Sequence, residues 1–199
     1  GHPDTRHRDT RRDAAQDPTA AIPDRVDDLL SKMTLSEKTA QLGYGGGSIC
    51  DVQTAARYPL GIGGVSTQNL NCTNAGQRAV RAANRLGIPV SYFAETTHSG
   101  GAPGTTVFPM PCSQGASWNT TLVREIGSIN ALELRSAGGD HALSPILQVC
   151  TDPRFGRMEE NFAEDPFLVS AYGVAAVAGL QGLDGLGGVD TYLGSPTTK

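Results

Sequence analysis

Two clusters of charged and polar residues each follow an apolar segment of the sequence. Glu95 and His98 follow PVSYF within five residues, and a longer cluster of acidic and basic residues follows SPILQV. The longer cluster consists of Asp152, Arg154, Arg157, Glu159, Glu160, Glu164 and Asp165. A carboxylate beside guanidinium groups suits a polyhydroxylated ligand, because carboxylates accept hydrogen bonds from hydroxyl groups and arginine donates several in a fixed fork. The residue types therefore predict carbohydrate binding.

Predicted strands and helices alternate along the part of the chain that carries these clusters. Short apolar runs predict strands in LGIGGVS, IPVSYFAE and HALSPILQV. The predicted helices lie in RVDDLLSKMTLSEKTAQL, TNAGQRAVRAANRLG, SQGASWNTTLVREIGSINALELRSAGG and PFLVSAYGVAAVAGLQG. This alternation is typical of an α/β fold with parallel strands, either an open doubly wound sheet or a (β/α)8 barrel. The alternation of the predicted elements and the length of the chain do not decide between these two architectures.

Local sequence signals mark the N-termini of several predicted helices. Thr34 and Glu37 have the spacing of a capping box, so the first helical segment is expected to break at Thr34 and start again. Asn74 or Thr73 is expected to cap the second helix. Pro166 lies in the first turn predicted for the last helix, a position that tolerates proline.

Both polar clusters are expected on the same face of the domain, because loops at the carboxyl ends of parallel strands hold the ligand. Structural interpretations compete with this one. Glu95 could pair with an arginine at the rim, and His98 could be an ordinary loop histidine. Glu164 and Asp165 are interpreted as the acidic N-terminus of the next helix, where carboxylates favour the helix dipole. Trp118, at the start of a helix, is expected in the core.

Composition excludes several classes of protein. The formal net charge of −4 disfavours a nucleic-acid partner. No apolar run approaches the roughly 20 residues of a membrane-spanning helix, so no membrane partner is expected. Glycine fills 25 of 199 positions without a collagen-type period, which indicates many tight turns. Neither GxGxxG nor GxxxxGK[ST] can be written through the glycine clusters, which disfavours a nucleotide site.

Cysteines and sequons bear on the compartment. The cysteines are Cys50, Cys72, Cys112 and Cys150, and their spacing matches neither a CxxC redox motif nor a zinc site. An even count allows two disulfides in any of three pairings if the compartment is oxidising. The triplets that begin at Asn71 and Asn119 have the form of N-glycosylation acceptors. Together these features favour a secreted glycoprotein.

The composition also suggests where the folded domain begins and ends. Residues 1–23 alternate arginine with aspartate in much of their length and carry few apolar side chains, which predicts a disordered N-terminal tail. The folded domain is expected over residues 24–182, and residues 183–199 form a Gly-rich tail.

A colinear series of segments resembles the N-terminal domain of glycoside hydrolase family 3. The series is RVDDLLSKMTLSEKTAQL, FAETTHSG, TVFPMPCSQGASWNTTLV, ALELRSAG and SPILQVCTDPRFGRMEENFAEDP, and it runs from about residue 24 to residue 182. The resemblance implies an α/β fold that is an incomplete (β/α)8 TIM-type barrel, its N-terminal half to two-thirds. It also implies a retaining, exo-acting β-glycosidase of the β-glucosidase or β-xylosidase type, with no metal and no organic cofactor.

The resemblance assigns roles to four residues. Glu95 takes the place of the acid that grips the hydroxyls of the non-reducing sugar in the −1 subsite. Arg157 matches the sugar-binding arginine of the family, and Arg154 is a neighbour that shares or supports this role. His98 corresponds to a family histidine. The implied ligand is a β-linked glucoside, a β-linked xyloside or a short oligosaccharide.

The catalytic residues are expected outside this chain. Members of the family carry a nucleophilic aspartate in an SDW-like motif, preceded by a Lys-His pair, and this sequence contains neither motif. Asp184 and Asp190 lie in a Gly-rich segment rather than after an apolar strand, so neither is expected to replace the nucleophile. The remainder of the barrel and a second domain are expected partners, and the chain alone is expected to be inactive. The alternatives are a non-catalytic carbohydrate-binding or interaction module derived from this family, and a truncated copy without function.

Overall fold

The computed structural model describes residues 14–45, 47–67, 69–182 and 195–196. Its helices are α1 Ile22–Lys32, α2 Leu35–Gln41, α3 Val52–Ala55, α4 Leu70–Ala83, α5 Pro111–Gly115, α6 Thr120–Ser136 and α7 Pro166–Gln181. Its strands are β1 Tyr44–Gly45, β2 Gly64–Ser66, β3 Ser91–Ala94, β4 His141–Ala142 and β5 Ser195–Pro196. Short 3-10 helices lie at Ala14–Gln16 and Met158–Glu160. Among these described residues, no helix is both long enough and apolar enough to cross a bilayer.

The strands form one parallel sheet in which each strand pairs with the next one along the chain. The order is β1-β2-β3-β4-β5, and every pairing between neighbours is parallel. A doubly wound sheet reverses its strand order at a switch point, whereas a (β/α)8 barrel adds strands in sequence. The described strands show no reversal, so the fold is α/β with a parallel sheet, consistent with part of a TIM-type barrel.

The helix-covered face of the sheet is the principal core. Val65 of β2 and Tyr92 of β3 are fully buried there and pack with Ile49 and with Val80 of α4. The Tyr92 hydroxyl donates a hydrogen bond to the Ile49 carbonyl oxygen at 2.8 Å, so this tyrosine buries its ring without leaving its polar atom unsatisfied. Burial raises the pKa of Tyr92 to about 12.

Helices α6 and α7 pack closely against each other beside this core. A Cβ atom at Gly179 would come within 2.2 Å of the Arg124 carbonyl oxygen, and one at Gly127 would come within 2.9 Å of the Ala176 carbonyl oxygen. Glycine at both positions therefore lets the two backbones approach. Phe162 and Tyr172 stack beside this crossing with ring centroids 5.2 Å apart.

The predicted break in the first helical segment is confirmed. α1 ends at Lys32 and α2 begins at Leu35, with Thr34 as its N-cap. The Thr34 hydroxyl accepts a hydrogen bond from the Glu37 amide, and the Glu37 carboxylate accepts one from the Thr34 amide at 2.8 Å. The predicted capping box is therefore complete.

The predicted cap of the second helix is wrong. α4 begins at Leu70, and its N-cap is Asn69, whose side-chain oxygen accepts a hydrogen bond from the Cys72 amide at 3.0 Å. Thr73 lies inside the helix, where its buried hydroxyl meets that of Thr67. Asn74 is also inside the helix. Asn69 satisfies the free N–H groups one turn earlier, so the helix starts before the predicted caps.

The start of the last helix is as predicted. Pro166 is the first residue of α7, and Asp165 is its N-cap, accepting a hydrogen bond from the Leu168 amide at 2.8 Å. Glu164 immediately precedes this cap and is exposed. The helix ends at Gly182, which adopts a left-handed conformation with φ 66°.

Trp118 does not lie in the core. Its φ angle of 52° places it in the left-handed turn between α5 and α6, and the residue is 79% exposed. The apolar character of tryptophan predicted burial, but this turn between the two helices leaves Trp118 exposed. The predicted strand HALSPILQV is also shorter than expected, because only His141–Ala142 joins the sheet.

Both predicted tails include residues with regular structure. Residues 1–13 lie outside the described residues, but Ala14–Gln16 forms a 3-10 helix, and the Ala15 amide donates to the Asp28 carboxylate at 2.8 Å. This contact anchors the segment to α1, which begins at Ile22 rather than at the predicted Asp24. The Gly-rich tail, with Asp184 and Asp190, lies outside the described residues except for Ser195–Pro196, which pairs with β4.

One disulfide joins Cys50 to Cys72. It ties the loop after β1 to the first turn of α4. Cys112 is an exposed free thiol and Cys150 is a buried one. Of the two disulfides that the cysteine count allows, the structure therefore forms one.

Glu37 is expected to make the stability of the chain depend on pH. It is only 6% exposed and accepts hydrogen bonds from Arg85, which lower its pKa from 4.5 to about 2. Since the folded chain favours the ionised form, Glu37 stabilises the fold fully above pH 4.5, and this contribution is lost as the pH falls towards 2. Urea midpoints measured across this range should fall more steeply for the wild-type chain than for Glu37→Gln.

The comparison of these two chains isolates Glu37, because every other carboxylate titrates in both. The Glu37→Gln chain should be the less stable one at neutral pH, and the gap should close as the pH approaches 2. A gap that stays constant between pH 6 and pH 2.5 would show that the Glu37 charge does not stabilise the fold.

Candidate functional site

An open cleft of about 830 Å³ lies beyond the carboxyl end of β3. Glu95, His98 and Arg157 all line it, so the structure brings together three of the four residues that the sequence predicts for sugar binding. Much of the remaining lining comes from the loop of residues 98–108, which follows β3. The two polar clusters of the sequence therefore meet on one face, as expected from parallel strands.

Glu95 is placed by the backbone that immediately follows β3. Its neighbour Thr96 is buried, and the Thr96 hydroxyl makes a hydrogen bond with the Ser144 hydroxyl. The Thr96 carbonyl oxygen accepts a hydrogen bond from the Asn130 side chain at 3.2 Å. These buried contacts fix the chain on the core side, while Glu95 itself is exposed to the cleft.

His98 is held by both its backbone and its ring. The His98 carbonyl oxygen accepts a hydrogen bond from the Phe108 amide at 2.8 Å, and ring atom Nδ1 lies 3.0 Å from the Phe108 carbonyl oxygen. A carbonyl oxygen only accepts, so Nδ1 carries the proton in this contact. In the neutral imidazole, Nε2 is then a hydrogen-bond acceptor, which suits a ligand hydroxyl.

Arg157 forms an ion pair with Glu160, a residue that also lines the cleft. The Arg157 Nε atom donates to Glu160 Oε1 at 2.8 Å, and Nη2 contacts the second carboxylate oxygen. This bidentate hydrogen bonding raises the pKa of Arg157, and the negative charges of Glu95 and Glu159 raise it further. The guanidinium is therefore oriented by Glu160 and electrostatically coupled to Glu95.

Sequence reasoning missed Glu160 as a member of the site. It lies in the polar cluster that follows SPILQV, but the family resemblance assigns it no role of its own. The signal that could have found it is its spacing, because Arg157 and Glu160 are three residues apart and share one face of a helical turn.

Arg154 does not line the cleft and pairs with Asp152 instead. Its guanidinium is paired with Asp152 at 2.6 Å, and its side chain is 89% exposed. The hydrogen bonds from Arg154 lower the pKa of Asp152. This turn within DPR directs Arg154 towards Asp152, whereas Arg157 reaches the cleft.

Two further predictions concern metal ions and glycans. In the part of the chain that the structure describes, no group of three or more His, Cys, Asp or Glu residues could hold a metal ion. Asn71 is exposed in the first turn of α4. Asn119 is the N-cap of α6, and its side-chain oxygen accepts a hydrogen bond from the Leu122 amide at 3.1 Å. Glycosylation at these two positions stays a prediction.

Comparison with known proteins gives a family match over most of the chain. Residues 34–193 match the family model described as the glycosyl hydrolase family 3 N terminal domain, and the match extends beyond residue 182, where the recognised motifs end. The chain is 33% identical over 160 residues to the periplasmic beta-glucosidase of Salmonella typhimurium, covering 78% of this chain and 20% of that protein. It is 35% identical over 163 residues to beta-D-xylosidase 1 of Arabidopsis thaliana, covering 79% of this chain and 18% of that protein.

Solved structures that are similar to this chain are also those of beta-glucosidases. A mutant beta-glucosidase from Listeria innocua in complex with laminaribiose superposes with a TM-score of 0.75 at 31% identity, covering 90% of this chain and 26% of that chain. The same beta-glucosidase in complex with glucose gives a TM-score of 0.73 at 31% identity, with the same coverage. The present chain therefore spans about a fifth to a quarter of the length of these relatives.

Proposed function

The chain belongs to glycosyl hydrolase family 3, and from this premise we propose that it supplies the sugar-binding half of the −1 subsite of a retaining, exo-acting β-glycosidase. The observation that carries the proposal is the meeting of Glu95, His98 and Arg157 in one cleft. The ligand would be the non-reducing sugar of a β-glucoside, a β-xyloside or a short oligosaccharide. Relatives that are named beta-glucosidase and beta-xylosidase support this class of ligand.

Each residue of the cleft has a distinct part in holding the sugar. The Glu95 carboxylate accepts hydrogen bonds from a pair of ring hydroxyls, while the Arg157 guanidinium donates to another hydroxyl. His98 accepts through Nε2. The ion pair with Glu160 keeps the planar guanidinium in one orientation before the sugar arrives, so less side-chain entropy is lost on binding. We expect exo-action because a ring hydroxyl that is held in the cleft is not free to carry a further sugar.

The chemical step needs groups that we place outside this chain. Retaining hydrolysis uses one carboxylate as a nucleophile and a second, about 5 Å away, as the general acid and base. Glu95 is committed to sugar hydroxyls, and Glu160 is committed to its ion pair with Arg157. We therefore expect the nucleophile in an SDW-like motif of the longer protein, with no metal ion and no organic cofactor in the reaction.

We also propose that the protein works in an oxidising compartment, as a secreted protein. The disulfide between Cys50 and Cys72 supports this, because disulfides are rare in reducing compartments. The periplasmic relative and the two glycosylation triplets point in the same direction.

The division of the chain into residues 1–23, 24–182 and 183–199 stays a prediction.

Substitutions in the cleft should weaken sugar binding by the isolated chain. Glucose and xylose can be titrated into the ¹⁵N-labelled chain, and binding can be followed by amide chemical shifts. We expect Glu95→Gln and Arg157→Gln each to weaken binding by about tenfold or more, since a hydrogen bond to a charged group contributes ~1.5–3 kcal/mol.

Two matched variants control for the change of charge. Glu164→Gln removes an exposed carboxylate beside α7, and Arg154→Gln removes the guanidinium that pairs with Asp152. Both should bind glucose and xylose as the wild-type chain does. Equal losses for Arg154→Gln and Arg157→Gln would contradict the site that we propose, because the two arginines would then be indistinguishable.

A further inference from the structure

We propose that Glu133 is a positioning residue that holds the loop of residues 98–108 in place as one wall of the sugar cleft. The proposal rests on the function proposed above and concerns the same site. Glu133 lies in α6, within the segment ALELRSAG, and the sugar-binding scheme gives it no part. It does not line the sugar cleft, and it lines a separate hollow together with Thr105.

Three hydrogen bonds join this carboxylate to a single residue of the loop. The Thr106 amide donates to Glu133 Oε1 at 3.1 Å and to Oε2 at 2.9 Å, and the Thr106 hydroxyl donates to Oε1 at 2.7 Å. Hydrogen bonds to an ionised acceptor are the stronger kind. Glu133 therefore anchors the C-terminal part of the loop, at the residue before Val107, to a rigid helix.

The loop also packs directly over Glu133 and over the backbone of Glu95. A Cβ atom at Gly100 would lie 2.5 Å from the Glu133 Cβ atom. At Gly101, which has φ 73°, a Cβ atom would lie 2.7 Å from the Glu95 carbonyl oxygen. The loop thus packs against α6 at Glu133 and against the backbone of Glu95, so its position bears on the shape of the cleft.

The ends of the loop are closed independently of the tether. His98 and Phe108 share the two contacts described above, and Ser99 and Val107 form an antiparallel bridge. Between these ends, the segment of residues 101–105 lines the cleft. Without Glu133, the loop would keep its ends but lose the anchor at Thr106, so the wall would move while His98 stays in place.

The position of Glu133 in its helix gives an independent reason to assign it a role. It lies in the last turn of α6, where the negative end of the helix dipole disfavours a carboxylate. A residue that opposes a local preference is expected where another contact or a function compensates. The three hydrogen bonds from Thr106 are that compensation.

Amide hydrogen exchange and sugar titration of the 199-residue chain test the proposal together. Glu133→Ala should raise the exchange rates of amides 105–107 by about tenfold, since it removes charged hydrogen bonds, and should weaken binding of glucose and xylose severalfold. Glu133→Gln keeps an acceptor and a donor within reach of Thr106, so it should restore most of the protection and affinity. Glu125→Ala removes an exposed carboxylate from the same helix and should change neither.

Each outcome decides a separate part of the proposal. Loop exchange in Glu133→Ala that equals loop exchange in Glu125→Ala would overturn the tether. Faster loop exchange with unchanged sugar affinity would overturn the claim that the tether positions the wall of the cleft. Failure of the wild-type chain to bind either sugar would refute the proposed function instead, and the exchange rates would still decide the tether. Equal unfolding midpoints of the three variants would show that the effects are local.

Discussion

The 199-residue chain alone is expected to release no measurable product from aryl β-glucosides or aryl β-xylosides. Among the described residues that line its cleft, Glu95 is needed for sugar hydroxyls and Glu160 for Arg157, so none of these carboxylates is left for attack at the anomeric carbon. Enzymes typically accelerate their reactions by ~10⁶-fold or more, and a retaining glycosidase depends on its carboxylate pair for much of this. The expected loss is therefore the largest effect that we predict.

A release assay with a chromogenic leaving group measures this directly, and Glu95→Gln is the control. Turnover that persists in Glu95→Gln would come from a contaminating glycosidase. Turnover by the wild-type chain that disappears in Glu95→Gln would contradict our proposal, because the chain itself would then be catalytic.

The encoding DNA separates the remaining alternatives. An open frame that continues into Lys-His and SDW-like motifs supports the enzyme, whereas a stop codon supports a non-catalytic module or a truncated copy.

Gly76→Ala is expected to destabilise the chain strongly. The added Cβ atom would lie 1.9 Å from the Ile49 carbonyl oxygen and 2.1 Å from the Tyr92 hydroxyl oxygen. The substitution would thus overpack the contact between α4 and the loop that carries Ile49. It would also break the hydrogen bond that the Tyr92 hydroxyl donates to the Ile49 carbonyl oxygen. Alanine in a helix gains about 1 kcal/mol over glycine, but overpacking and a lost buried hydrogen bond cost more.

We therefore expect a net loss of about 3 kcal/mol, or a melting temperature lower by roughly 10 °C. Gly47→Ala is the matched control, because a Cβ atom at that exposed position meets no atom within 4 Å. Thermal unfolding of the two variants beside the wild-type chain makes the comparison. Equal melting temperatures for Gly76→Ala and Gly47→Ala would show that the helix can shift away from Ile49 at little cost.

Features fixed by contacts within a few residues were predictable from the sequence. The Thr34 and Glu37 capping box and the Asp165 cap of α7 each join groups three residues apart, so their pattern is visible in the chain itself. The cap of α4 was not, because four residues of similar capping propensity lie near its start, and the hydrogen bond from the Cys72 amide to Asn69 became known only from the structure.

Features fixed by long-range geometry were only partly predictable. The alternation of strands and helices indicated parallel strands, but the strand order became known only from the pairing of β1 to β5. The sequence placed Glu95, His98 and Arg157 on one face, yet it could not separate Arg154 from Arg157. That separation depends on one turn, in which Asp152 captures the nearer arginine while Glu160 orients the farther one.

The titration of the ¹⁵N-labelled wild-type chain with glucose and xylose tests the central claim most directly, because it maps where a sugar binds. We predict that the amides of Glu95 to Ser99 and of Arg157 to Glu160 shift together with one millimolar-range dissociation constant. A separate basic hollow is lined by residues of α1 and of the loop after α4, and the chemical shifts of their amides should not change. Shifts confined to that hollow, or no shifts at saturating sugar, would contradict the account.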